Sequence, residues 1–273
     1  MNTKTLVTTV KTLHLCGLLV LIAACSPSID NGPDCRYNEA WLSGECSFEI
    51  PQPVSASGIW KGTDSAGGDV LILVSAVNSL RLIDASGNQG VGFIAPMAAV
   101  AVGFELVTPL GGSFSDETTL ANCNFTGSLV ERERIELDQS CVTTAGLQFS
   151  EVLELDFDPL YDVDSSLEAI SGSYQSASGS VLSVAADGGL FLQDAATGCV
   201  INGAFKLITS ATNLYGLSLQ YESCTGPEEI LNGSSFDGLA YLDDRGTADV
   251  LVMAATGDVA GTAVSSFEQA TRL

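Results

Sequence analysis

Short stretches in which apolar and polar residues alternate, separated by turn-forming residues, recur along most of this chain. No other feature constrains its fold as tightly. Leu80 and Leu82 flank Arg81; Val102, Phe104 and Leu106 alternate with Gly103 and Glu105; Leu153, Leu155 and Phe157 alternate with Glu154, Asp156 and Asp158. A period of two puts every second side chain on one face, so each stretch reads as a strand with an apolar side and a wet side. Between them lie Asp84-Ala85-Ser86-Gly87-Asn88, Asp187-Gly188-Gly189, Asp243-Asp244-Arg245-Gly246 and Thr256-Gly257-Asp258, all rich in the residues that turns require. The spacing is that of all-β folds, and helix-period patterns of useful length are absent. With 46% hydrophobic residues, the 28 glycines and 7% aromatics do not describe a disordered, collagen-like or coiled-coil chain.

A boundary over residues 159–170 separates two pieces of about 100 residues, 57–158 and 171–273, each large enough for its own core. Each holds about eight candidate strands with short connections, which predicts two tandem antiparallel meander domains. Eight strands in a meander close into a small barrel or collapse into a sandwich, and closure removes the edge strands that invite aggregation. Ser165 and Glu168 have the spacing of a helix capping box, so one helical turn is expected in the linker.

The first 56 residues are of a different kind. Lys4 and Lys11 precede an apolar stretch from Leu13 to Ala24, well short of the roughly 20 residues a helix needs to cross a bilayer, and the pattern is that of a cleaved export signal over residues 1–24. It ends Leu21-Ile22-Ala23-Ala24-Cys25, which resembles the lipobox of bacterial lipoproteins. The resemblance implies cleavage before Cys25, acylation of that cysteine and an anchor of two or three chains, enough for stable attachment to a membrane. Ser26 resembles the residue that sorts such proteins to the outer membrane of Gram-negative bacteria, so a cell-envelope location is expected. Residues 25–56, with Pro27, Pro33, Pro51 and Pro53, read as a lipidated, flexible tether.

Six cysteines remain: Cys35, Cys46, Cys123, Cys141, Cys199 and Cys224. An even number in an exported chain reads as three disulfides, with neighbours favoured as partners. Cys123 and Cys141 are centred on the charged segment Glu131-Arg132-Glu133-Arg134, and Cys199 and Cys224 on Ala211 and Thr212; each pair brackets two alternating runs, as the open end of a hairpin would. Cys35 and Cys46 close a small loop in the tether. The stretch from Cys123 to Gly127 matches that from Cys199 to Gly203 at the cysteine and glycine, a hint of duplication.

Gly58-Ile59-Trp60 resembles the G-x-W opening of lipocalins and avidins, the calycin barrels, and Gly172-Ser173-Tyr174 occupies the equivalent place in the second piece. The resemblance implies a calycin-like barrel with the aromatic ring plugging one end; with or without a barrel, Trp60 and Tyr174 are expected to be core aromatics. The tandem also resembles two-domain envelope lipoproteins of proteobacteria in its Ser165-Ser166-Leu167 linker and Gly198-Cys199 hairpin.

The composition excludes several chemistries. A formal charge of −23 opposes nucleic-acid binding, which needs clustered cations. The single histidine, His14, leaves with the signal, removing the usual general base and the commonest metal ligand. No nucleotide-binding glycine loop is present. The densest carboxylate group, Asp156, Asp158, Asp162, Asp164 and Glu168, is the candidate for calcium, although its spacing departs from the EF-hand and a solvated acidic linker is the favoured reading. The expected function is a non-enzymatic envelope lipoprotein, without a cofactor, serving structure or binding a partner, whether protein, glycan or small apolar ligand. The alternatives are a carrier of a small hydrophobic ligand in a barrel and a glycan-acting enzyme using two carboxylates.

Overall fold

From Arg134 to Thr143 exposed and buried residues alternate without a break, Ile135, Leu137, Gln139, Cys141 and Thr143 facing inward, as a strand with one dry side requires. The computed structural model describes residues 54–94, 99–194 and 197–273. The first eight strands are β1 (Gly58–Asp64), β2 (Asp69–Val74), β3 (Ser79–Ile83), β4 (Gln89–Phe93), β5 (Ala99–Val107), β6 (Leu120–Val130), β7 (Arg134–Thr143) and β8 (Gln148–Asp158). The next eight are β9 (Gly172–Ser176), β10 (Val181–Val184), β11 (Gly189–Gln193), β12 (Val200–Leu207), β13 (Tyr215–Glu222), β14 (Ser235–Asp243), β15 (Val250–Val259) and β16 (Thr262–Arg272). Each set is an antiparallel meander whose last strand pairs with its first, giving two closed barrels. The barrel alternative therefore holds over the sandwich. Closure is made by β1 against β8, with Trp60 opposite Phe157, and by β9 against β16, with Tyr174 opposite Arg272.

Tight closure needs places where one backbone crosses close over another. A Cβ on Gly62 would lie 1.9 Å from the Glu154 carbonyl oxygen, and one on Gly238 would lie 1.9 Å from that of Ala254, so only glycine fits at either point.

Each barrel has its own apolar interior. In the first, Trp60 is fully buried among Val70, Ile72, Leu80, Phe104, Phe125 and Leu155, with the Phe104 and Phe125 rings stacked 4.2 Å apart. In the second, Tyr174, Leu182, Phe205, Tyr215, Phe236 and Met253 do the same work. The two G-x-aromatic motifs are built alike: Trp60 Nε1 donates to the Ala56 carbonyl at 2.9 Å and the Tyr174 hydroxyl to that of Ile170 at 2.8 Å. Both aromatics are thus core residues that also tie down the chain just before their strand.

Cys123 and Cys141 sit opposite each other in the β6–β7 ladder and are bonded, and Cys199 is bonded to Cys224 just outside β12 and β13. The third expected bridge, Cys35 with Cys46, lies outside the described residues, as do Cys25 and the whole signal. The duplication hint does not hold: Cys123 lies within the sixth strand of its barrel, whereas Cys199 precedes the fourth strand of the other. Replacing Cys199 and Cys224 together by alanine should lower stability by about 3 kcal/mol, the entropy released by opening a loop of this size. Urea denaturation of the oxidised protein is the check.

Contrary to the expectation of wet outer faces, the barrels are docked. A third apolar cluster joins Ile59, Leu73 and Ile83 from outside the first barrel to Leu239, Tyr241, Val252 and Ala254 from outside the second. Polar links reinforce it: Arg81 Nη2 donates to the Asp237 carbonyl at 2.9 Å, Gln89 Nε2 to that of Ser266 at 2.7 Å, and the Ser265 amide to that of Thr108 at 3.0 Å. Arg81, expected to face water between Leu80 and Leu82, is instead 8% exposed beneath the second barrel.

The linker also differs from its expected form. Its helical turn is a 3-10 turn at Pro159–Asp162, capped by Asp158, whose Oδ1 accepts from the Leu160 amide. Ser165 does not form a capping box with Glu168: its amide and hydroxyl donate to the carbonyls of Ser210 and Thr209, pinning the linker to the second barrel. Ser166 takes the local role, accepting from the Ala169 amide.

Candidate functional site: the groove between the barrels

Where the docked faces diverge they leave a groove of about 1170 Å³, walled by Leu71 and Ile83 on one side and Val252 and Phe267 on the other, with Lys61 and Tyr241 at one end. Strand geometry explains the placement. Lys61 is the residue after inward-facing Trp60 in β1 and so points outward; Asp158 ends β8 opposite Ile59; Asp243 ends β14, and the turn after it carries Arg245.

These four charges form a closed cluster. Arg245 grips Asp158 with two nitrogens, at 2.8 and 3.0 Å, and Asp243 with Nε and Nη2, at 2.9 and 2.7 Å. Lys61 Nζ lies 2.8 Å from Asp158 and 3.7 Å from Asp243, and 5.1 Å from the centre of the Tyr241 ring. Two cations and two anions are balanced, and Asp158, 8% exposed, has both oxygens occupied. Paired forks of this kind are the strong form of the ionic hydrogen bond.

The carboxyls are held ionised. Hydrogen bonds from Arg245 outweigh burial at Asp243 and push it down to about 2. At Asp158 burial acts upward but is overcome by Lys61, the Leu160 amide and Arg245. Lys61 is moved upward because Asp158 and Tyr241 overcome the effect of its burial. A general acid needs the opposite shift, so the arrangement is chemically a clamp rather than an acid–base pair. Because the folded value of Asp243 lies below the ordinary 3.8, its contribution is complete above about pH 4 and is lost as pH falls through 2. After solvent screening of a carboxylate that is a quarter exposed, it amounts to about 1 kcal/mol. Asp243→Asn should therefore lower stability at pH 7 by that amount and flatten the acid limb between pH 4 and 2, measured by urea denaturation across pH.

Asp84, on the groove rim, is pushed up by burial. Its oxygens are engaged, however, by the amides of Ser86 and Asn88 and the Asn88 side chain, at 2.8, 3.0 and 2.7 Å, closing the β3–β4 turn. The five acids offered for calcium are not brought together. Asp158 belongs to the clamp, Asp162 pairs with Arg132, and Asp156, Asp164 and Glu168 lie apart; among the described residues no group of three or more His, Cys, Asp or Glu could hold a metal ion. The 3-10 turn disperses them: it redirects the chain after Asp158, so nearness in sequence does not become convergence.

Sequence reasoning missed Lys61, Asp243 and Arg245 as partners of Asp158. No local spacing links them, and the one cue is scarcity: ten basic residues in a chain with 33 acids. No protein-family model matches this chain, and no curated protein matches it.

Proposed function

We propose that this chain is a lipid-anchored, non-enzymatic protein of the cell envelope whose docked barrels form a rigid surface for a macromolecular partner, with the inter-barrel groove as its contact. The observation that carries this reading is where the space lies. The groove holds about 1170 Å³, while the hollow inside the second barrel, among Leu182, Leu190 and Met253, is about 60 Å³. A drug-sized ligand needs roughly 300 Å³ or more, so surface recognition is better supported than carriage inside the second barrel. The ionised, mutually neutralised clamp favours binding over acid–base catalysis. The lipobox-like Leu21–Cys25 sequence and the proline-rich tether support anchorage, with Ser26 pointing to the outer membrane. The matched burial and bonding of Trp60 and Tyr174 support the calycin-like comparison.

Two measurements test the reading. Cells fed labelled palmitate should label the wild-type chain and leave Cys25→Ser unlabelled; equal labelling removes the anchor. A photo-crosslinking residue at Ala85, exposed on the groove rim, should give a discrete adduct in cells, while one at Asn124, exposed on the outer face of β6, gives none. Adducts from both sites, or from neither, contradict a groove-borne partner.

A further inference from the structure

The end of the first barrel at which the chain comes in differs from the rest of the described surface. The described residues begin at Val54 and run to β1 beside the β2–β3 turn, where the Ser57 hydroxyl donates to the Ser75 carbonyl at 3.1 Å. At this same end Val77 and Phe93 are 68% and 73% exposed, matched among the described large apolar residues by Leu273 alone. Their backbone is well held: Asn78, at φ 63°, closes the turn by donating to the Ser75 carbonyl at 2.8 Å. Phe93 pairs with Ser79, and the Ile94 amide donates to the Asn78 carbonyl at 3.1 Å. Val130, 52% exposed, ends β6 on the same side. The segments that present Val77 and Phe93, Ser75–Leu80 and Gln89–Ile94, hold no charge of either sign in a chain with 33 acids.

We propose that Val77 and Phe93 form a membrane-contacting tip that seats in the interfacial layer of the bilayer to which the chain is tethered. This rests on the reading of Cys25 as the lipidated residue. Three arguments select lipid as the occupant. The tether from Cys25 leads to this end of the barrel. Read as a tether, the residues between Cys25 and Val54 would have an r.m.s. span of about 30 Å, which would hold the tip near the surface at an effective concentration that lets a weak contact persist. Finally, anionic lipid repels acid-bearing faces, whereas Val77 and Phe93 stand on uncharged segments and the β6–β7 turn at the same end, Glu131-Arg132-Glu133-Arg134, carries two acids balanced by two bases.

The test uses the full acylated chain in vesicles of phosphatidylethanolamine and phosphatidylglycerol containing brominated acyl chains, which quench nearby tryptophan. Phe93→Trp is compared with Phe191→Trp, a control at an exposed position, 46% accessible, in the second barrel. Flotation of the protein with the vesicles reports the anchor separately. The expected result is flotation of both variants, with added fluorescence from position 93 quenched at least twofold and that from 191 unchanged; Val77→Asp should reduce the quenching at 93. If the protein floats but 93 is quenched no more than 191, the tip is wrong and the anchor stands. A concentration-dependent blue shift at 93 without quenching would assign this end to a second copy and also overturn the proposal. Failure to float removes the anchor and the tip with it.

Discussion

Replacing Trp60 by alanine is expected to lower stability by about 4 kcal/mol. The indole is fully buried, meets Phe157 edge-on at 5.2 Å, and donates to the Ala56 carbonyl. Alanine would leave a cavity between strands that closure holds in place, with little freedom to collapse around it. Tyr174→Phe is the comparison: it keeps the ring and removes the bond to Ile170, so about 1 kcal/mol is expected. Against total stabilities of about 5–15 kcal/mol for natural domains, the first change removes about a quarter or more and the second about a fifth or less. Urea denaturation at pH 7 measures both, and a loss below about 1.5 kcal/mol for Trp60→Ala would mean that the ring is not the core residue described.

A comparable loss, about 4 kcal/mol, is expected from Ile59→Asp, for a different reason. Ile59 points away from the first barrel's interior yet is fully buried, because the second barrel covers it. The new carboxylate would sit in an apolar cluster, and the cations nearest to it, Lys61 and Arg245, are already engaged by Asp158 and Asp243. The penalty falls on docking, so unfolding should separate into two transitions where one is expected of the wild type. Asn124→Asp, on a face of the same barrel that remains in water, should change stability by less than about 0.5 kcal/mol. A single unshifted transition for Ile59→Asp would show that the apolar cluster around Ile59 does not hold the barrels together.

The residues that could be read locally are those whose outer faces stay wet. The β6–β7 hairpin was legible in its strands, turn and disulfide because Ile135, Leu137 and Cys141 alternate with Glu136, Asp138 and Ser140. Trp60 and Tyr174 were legible as core residues through the glycine two positions before each. Docking was harder, although it had left a trace. Val70 to Val74 and Val250 to Ala255 are unbroken apolar runs, the mark of strands covered on both sides. What no local pattern shows is which covered faces meet. Arg81 looks like a solvent residue beside Leu80 and Leu82, and Asp158 like one more acid in an acidic linker. Their burial and pairing depend on Asp237, Asp243 and Arg245, far along the chain.

The position of β1 also bears on load. It is the strand that receives any pull transmitted through the segment before Ala56, and it is hydrogen-bonded along both edges, to β2 and to β8. Inter-strand bonds run across the strand direction, so force along β1 would strain both ladders at once instead of unzipping one bond after another. The indole bond to Ala56 comes ahead of them, an additional catch at the threshold. Were the chain moored by its leading end, as proposed, drag would reach it first at a strand held along both edges.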